Sequence, residues 1–163
     1  MSVKQWSAEI EIHAPIEQVW SYLDGSLAQM QKIMPQVVAN DPVKVTEEKV
    51  GSVYRQQYKE GKRIQEYDVH TLEYANHPGD KRVKIGFTLA NLFEITALYE
   101  LHEVREGVTK LRYTATNKPL KWFVKLFMVF ASDKVVVKFL ERVRTVAEAE
   151  AETRASGDAR VDG

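Results

Sequence analysis

Residues 10–20 read Ile10-Glu11-Ile12-His13-Ala14-Pro15-Ile16-Glu17-Gln18-Val19-Trp20. Two periodicities meet in this stretch. Before it, and up to His13, apolar residues alternate with polar ones. Trp6, Ala8, Ile10 and Ile12 fall on one face; Gln5, Ser7, Glu9, Glu11 and His13 fall on the other. That pattern predicts a half-buried strand over 3–13 with a solvated outer face. Ala14-Pro15 ends it. Proline fixes φ and has no N–H, so Pro15 suits the first position of a helix. Ile16, Val19, Trp20 and Leu23 then recur at helical spacing. Asp24-Gly25-Ser26 breaks the run, and Leu27, Met30, Ile33 and Met34 mark a second short helix stopped by Pro35.

From Gln36 to Asn117 the pattern is that of strands, near 37–48, 51–60, 62–74, 81–89, 92–104 and 108–116. Gly51, Gly61, Pro78-Gly79 and Gly107 punctuate them. A two-residue Glu60-Gly61 loop pairs Lys59 with Lys62, Arg55 with Glu66 and Tyr54 with Tyr67. One face of that hairpin then carries Val53, Arg55, Gln57, Ile64, Glu66, Asp68 and His70, with cross-strand charge pairs. The other carries Tyr54, Gln56, Tyr58, Gln65, Tyr67 and Val69 and reads as concave. In the next hairpin a three-residue loop, Arg105-Glu106-Gly107, joins Phe93, Ile95, Ala97, Tyr99 and Leu101 to Leu111, Tyr113 and Ala115 on one face. A one-residue slip would invert every side chain.

Asn117 reads as an N-cap and Pro119 as the first turn of a final helix reaching about Glu150. Such a helix has roughly 32 residues and spans on the order of 48 Å, against an expected radius of gyration of about 15 Å. It crosses the whole domain. Trp122, Leu126, Val129, Asp133, Val136, Leu140, Val143 and Ala147 recur on it at alternating steps of four and three, and Asp133 is the polar exception. Residues 151–163 are small and polar and are expected to form a disordered tail.

Composition narrows the chemistry. The chain has 163 residues, the length of one domain, here 1–150 before the tail. Lys+Arg and Asp+Glu are 23 each, which argues against counterion-driven binding of nucleic acid. Cysteine is absent, so disulfides, thiolate metal sites and a thiol nucleophile are excluded. His13, His70, His77 and His102 show no zinc-ligand spacing, so no metal site is expected. No nucleotide loop or serine elbow occurs, and no cofactor is implied. The start carries no apolar signal segment and no run is long enough to span a bilayer, which points to a cytoplasmic protein.

The order of one strand, two short helices, six strands and a long final helix resembles the START/Bet v 1-like (SRPBCC) superfamily, the polyketide cyclase/dehydrase and lipid transport family. Four stretches carry the likeness: 10–20, Val50-Gly51-Ser52-Val53-Tyr54-Arg55, Tyr99-Glu100-Leu101 with Gly107-Val108-Thr109, and Phe139-Leu140-Glu141-Arg142-Val143. It covers residues 3–150. The resemblance implies an α+β helix-grip fold: a curved seven-stranded antiparallel sheet wrapped around a long C-terminal helix, with two short helices after the first strand. It implies a cavity that takes lipids, sterols, quinones, polyketides or plant hormones. The family shares no catalytic motif, so the fold does not select a reaction.

Three functions fit. The first is a carrier or sensor of a small hydrophobic or amphipathic ligand. Tyr54, Tyr58, Tyr67, Tyr99 and Tyr113 offer it an apolar body with a polar tip, Val69 lies among them, and Phe127, Phe130 and Val137 gate entry. The second is a cyclase or dehydratase with Asp133 as general acid/base. If buried, its pKa would rise; the plain alternative leaves it at the helix edge beside Lys134 or Lys138. The third is a protein-interaction module. Residues 120–130, Leu120-Lys121-Trp122-Phe123-Val124-Lys125-Leu126-Phe127-Met128-Val129-Phe130, are apolar nearly all round. They suit a protein partner, a homodimer seam or transient membrane contact, unless the loops at 24–36 and 75–92 cover them.

Overall fold

A computed structural model describes residues 3–121 and 132–161. Its elements follow in chain order: β1 (Lys4–Ile12), α1 (Ile16–Asp24), α2 (Leu27–Ile33), β2 (Val37–Lys44), β3 (Val53–Glu60), β4 (Arg63–His77), β5 (Asp80–Leu89), β6 (Phe93–Arg105), β7 (Val108–Pro119) and α3 (Asp133–Val161). The strands form one antiparallel sheet in the order β1-β7-β6-β5-β4-β3-β2. This is the helix-grip arrangement expected from the element order. Pro15 sits at the N-cap of α1 with extended backbone (φ −62°, ψ 145°). Ser26 caps α2, its side chain accepting from the Gln29 backbone N–H.

The β6–β7 register matches the longer-loop reading: Leu101 opposes Leu111, Glu100 opposes Arg112 and Tyr99 opposes Tyr113. The β3–β4 register does not. Glu60 pairs with Arg63, Arg55 with Asp68 and Tyr54 with Val69. The loop is therefore Gly61-Lys62 rather than Glu60-Gly61. Gly61 has φ +60°, and a two-residue hairpin loop takes glycine at its first central position at no steric cost. Moving the loop by one residue slides the partners by two, so the faces keep their side chains. Tyr54, Gln56, Tyr58, Gln65, Tyr67 and Val69 all turn inward, while Arg55 and Asp68 form an exposed ion pair at 3.0 Å.

The last helix differs at both ends. Asn117 is no N-cap: it is buried in β7, between Lys4 and Ile95, because the strand pattern continues to Pro119. At the other end α3 continues to Val161 instead of giving way to a disordered tail after Glu150. Strong helix formers such as Ala149, Glu150, Ala151 and Glu152 carry it on. An Arg154–Glu150 pair at 2.9 Å spans one turn there, and Ala151 packs at the edge of the core. The inner stripe of α3 is Val136, Leu140, Val143 and Ala147, all buried. They meet Ile12, Leu101 and Leu111 of the sheet. Each large side chain buried there is worth about 1.5–3 kcal/mol.

Polar staples set the helices on the sheet. Gln18 Nε2 donates to Tyr22 Oη (2.8 Å) and to the Ala147 carbonyl (2.9 Å). Tyr22 in turn donates to Glu150, which also takes Lys32 at 3.1 Å. α1, α2 and α3 are thereby joined. Lys81, almost wholly buried, pairs with Glu17 at 2.8 Å and lies 5.8 Å from the Trp20 ring centre, tying α1 to β5. Thr109 Oγ1 donates to the Ala14 carbonyl at 2.8 Å and holds the turn from β1 into α1.

Candidate functional site

The strand period decides what the concave face presents. Tyr54 and Tyr58 of β3, Tyr67 and Val69 of β4, Tyr99 of β6 and Tyr113 of β7 all point to it. Between this face, the α1–α2 junction and Phe139 of α3 lies a cavity of about 430 Å³. Met30, Met34, Val37, Val83, Ile85 and Ala97 make most of its remaining wall apolar. A second hollow of about 660 Å³ shares Tyr58, Tyr67, Phe87 and Ile95 with the first. It continues past Phe93 and Asn117 to the exposed Glu60 and Arg63.

Aromatic stacking stiffens the wall. Tyr67 stacks on Phe87 with ring centres 4.6 Å apart, and Tyr99 on Tyr113 at 5.0 Å. Phe139 tilts over both of the latter, at 5.8 and 5.0 Å. Tyr67 donates to Gln56 Oε1 at 2.8 Å, and Gln56 Nε2 reaches Asn40 Oδ1 at 3.4 Å. Burial, with the neighbouring Tyr58 adding to it, pushes Tyr67 up to about 12. Burial also holds Tyr99 well above the ordinary phenol range, Tyr113 reinforcing it, and burial raises Tyr113 in turn. These hydroxyls are neutral at physiological pH. They present protons and lone pairs, not charge.

The other end of the cavity is polar. Asp24 closes α1, and Tyr74 donates to its Oδ2 at 2.6 Å. Burial first, then the Asp24 hydrogen bond and charge, push Tyr74 up to about 12. Lys49, from the exposed loop between β2 and β3, lines the same cavity with Tyr54 and Thr71. Trp20 packs on Tyr74 with ring centres 5.8 Å apart.

Of the residues singled out from sequence, Tyr54, Tyr58, Tyr67, Val69, Tyr99 and Tyr113 come together in one wall. Asp133 does not join them. It is exposed at the first turn of α3 and lines no part of the cavity, because the inward stripe begins one turn later at Val136. A carboxylate at a helix N-terminus is favoured there by the orphan N–H groups and the dipole. Val137 is also exposed: one residue after Val136, it is turned about 100° around the helix. Phe127 and Phe130, with most of the 120–130 stretch, lie outside the described residues. All four histidines are exposed, and no group of three His, Asp or Glu able to hold a metal occurs among the described residues.

Sequence reasoning missed Asp24, Tyr74, Phe87 and Phe139, and it placed Gln56 on the concave face without naming it as a binding residue. Phe139 had a signal in its place beside Leu140. Tyr74 had none. Odd residues of β4 face inward from Gln65 to Thr71, and Tyr74 breaks that parity. An irregularity between Thr71 and Glu73 inserts one residue and swaps the faces beyond it.

The chain matches the family described as polyketide cyclase / dehydrase and lipid transport over residues 5–148. No curated protein matches it in sequence. Solved structures share the fold at low identity. Norcoclaurine synthase from Thalictrum flavum, in complex with dopamine and hydroxybenzaldehyde, is 12% identical, with 89% of this chain and 86% of that one covered and a TM-score of 0.63. Ginseng major latex-like protein 151 from Panax ginseng is 18% identical, with 91% and 97% covered and a TM-score of 0.64. The di-domain ARO/CYC protein BexL from the BE-7585A biosynthetic pathway is 14% identical at a TM-score of 0.70, with 89% of this chain and 46% of that one covered.

Proposed function

Because this chain belongs to the polyketide cyclase/dehydrase and lipid transport family, we propose that it binds a small, largely apolar molecule in the cavity beneath α3, as a carrier or sensor. One observation carries the reading: a cavity of about 430 Å³ whose wall is apolar but set with neutral tyrosine hydroxyls. Sites for small ligands have this size and this balance of apolar wall and few polar groups. A closed core would instead be filled to organic-crystal density. The ligand would be lipid-, quinone- or polyketide-like, and it would be exchanged in the cytoplasm. A cyclase using Asp133 finds no support, since that carboxylate faces solvent.

Native mass spectrometry of freshly purified protein, followed by organic extraction, tests the proposal. A discrete mass above 18.7 kDa is the expected result. Ala97→Phe is the control. Ala97 is small, buried and in the cavity wall, so a phenylalanine there occupies the space a ligand needs. The variant should fold and lose the extra mass. Retention of the extra mass by a folded Ala97→Phe protein would place the ligand elsewhere and refute the reading.

A further inference from the structure

Three buried side-chain atoms among the described residues lack a hydrogen-bond partner: Gln18 Oε1, Arg82 Nε and Asn117 Oδ1. The first two belong to side chains engaged elsewhere. Gln18 Nε2 donates twice, and Arg82 pairs with Glu73 and Glu100. Asn117 makes no side-chain hydrogen bond among the described residues and is only 7% exposed. It is also the one of the three that lines either hollow. Nothing local asks for an asparagine there. The position lies on the concave face, two residues beyond Ala115 and opposite Ile95. Asparagine is disfavoured within strands, and a buried acceptor without a donor carries its desolvation cost. An aliphatic side chain would avoid both. Violations of local rules that nothing nearby compensates concentrate at functional sites.

We propose that Asn117 anchors a hydroxyl or amide on the part of the ligand that reaches from the cavity of about 430 Å³ into the hollow of about 660 Å³. This rests on the cavity-binding reading above and adds a specific contact to it. The two spaces share Tyr58, Tyr67, Phe87 and Ile95, so one molecule spans both. Around Asn117 the wall is apolar, with Phe87, Phe93 and Ile95, and the charges of Glu60 and Arg63 stand on exposed residues. Of the other neutral polar groups, Tyr67 already donates to Gln56. The asparagine carboxamide turns about a broad, two-fold χ2 and presents its oxygen or its N–H groups. A hydroxyl or an amide both gives and takes a hydrogen bond, so it matches either orientation. A methyl group matches neither.

Two probes of one shape isolate the contact: 2-naphthol, neutral at pH 7, and 2-methylnaphthalene, with a methyl group in place of the hydroxyl. Fluorescence titration gives the affinity of each for the full chain and for Asn117→Leu. The ratio favouring 2-naphthol should fall about tenfold in the variant. Comparing ratios cancels any general effect of the substitution on the hollow. If leucine is too bulky for the strand, Asn117→Ala carries the same test with a smaller side chain. At least one of the two variants should match the natural chain in urea denaturation, because the orphan acceptor leaves with the side chain. A clear loss of stability in both would mean that the fold or a buried water satisfies the carboxamide, and overturns the proposal. Binding of both probes with a ratio unchanged in the folded variant removes Asn117 as the anchor and leaves the cavity reading standing. Binding of neither probe overturns the cavity reading and this proposal with it.

Discussion

Tyr67→Phe removes one oxygen from the middle of the cavity wall, and its effect should depend on pH in a calculable way. At pH 7 the Tyr67 hydroxyl donates to Gln56 Oε1 at 2.8 Å, and Gln56 is only 9% exposed. Taking the donor away leaves a buried acceptor short of a partner, at a cost of about 1–3 kcal/mol. The natural protein should therefore be the more stable by that amount. Above pH 10 the difference begins to shrink. An unfolded tyrosine ionises near 10, whereas Tyr67 in the fold ionises at about 12. Between those values the unfolded chain binds fewer protons than the native one, so stability falls as pH rises. The contribution is complete below pH 10. On the order of 1 kcal/mol of it is gone by pH 11 and about 2 kcal/mol by pH 12. Phenylalanine has no such term. The other tyrosines titrate in both proteins and cancel. Urea denaturation of the two proteins at pH 7, 11 and 12 measures the gap. It should narrow through pH 11 and close or reverse by pH 12. A gap that stays constant across the range would refute the burial of this phenol, and no gap at pH 7 would refute the worth of its hydrogen bond.

Two glycines should answer differently to alanine. At Gly25 a Cβ would stand 2.1 Å from the Ser21 carbonyl oxygen, which is helix backbone and cannot yield. Gly25→Ala should cost about 2 kcal/mol or more in thermal unfolding. At Gly86 the clash is with the end of the Leu72 side chain, 2.9 Å away but exposed and free to turn, so Gly86→Ala should stay within about 0.5 kcal/mol. Glu150 sets an acid limit. Burial opposes its ionisation, but Lys32, Tyr22 and Arg154 outweigh that and hold its carboxyl below 4.5. A depressed carboxyl contributes stability above its unfolded value and loses it as pH falls through the folded one. Lys32→Met should flatten that acid limb in denaturation curves from pH 6 to 3. At pH 7 it should cost under about 1 kcal/mol, since Lys32 is partly exposed; an unchanged acid limb would remove Lys32 as its cause.

Local periodicity decided much of this protein. The alternation of Trp6, Ala8, Ile10 and Ile12, and of Tyr54 through Tyr58, follows from the two-residue repeat of a strand. The strand therefore assigns each side chain to a face before any partner is known. The stripe Val136, Leu140, Val143 and Ala147 follows in the same way from the helical repeat. That is why the tyrosine wall could be read residue by residue, even where the first hairpin was paired two residues out. Tertiary structure decided what no local pattern encodes. Asp133 sits on the predicted stripe, yet the helix begins at that residue and leaves it in water. Asp24 reads only as the end of a helix until the fold carries it to Tyr74, 50 residues on. Tyr74 itself reaches the cavity through one extra residue in β4, which exchanges the two faces of the strand. A repeat fixes a side chain's direction relative to its neighbours. Bulges, helix ends and the curvature of the sheet fix what lies in that direction, and those depend on contacts far apart in the chain.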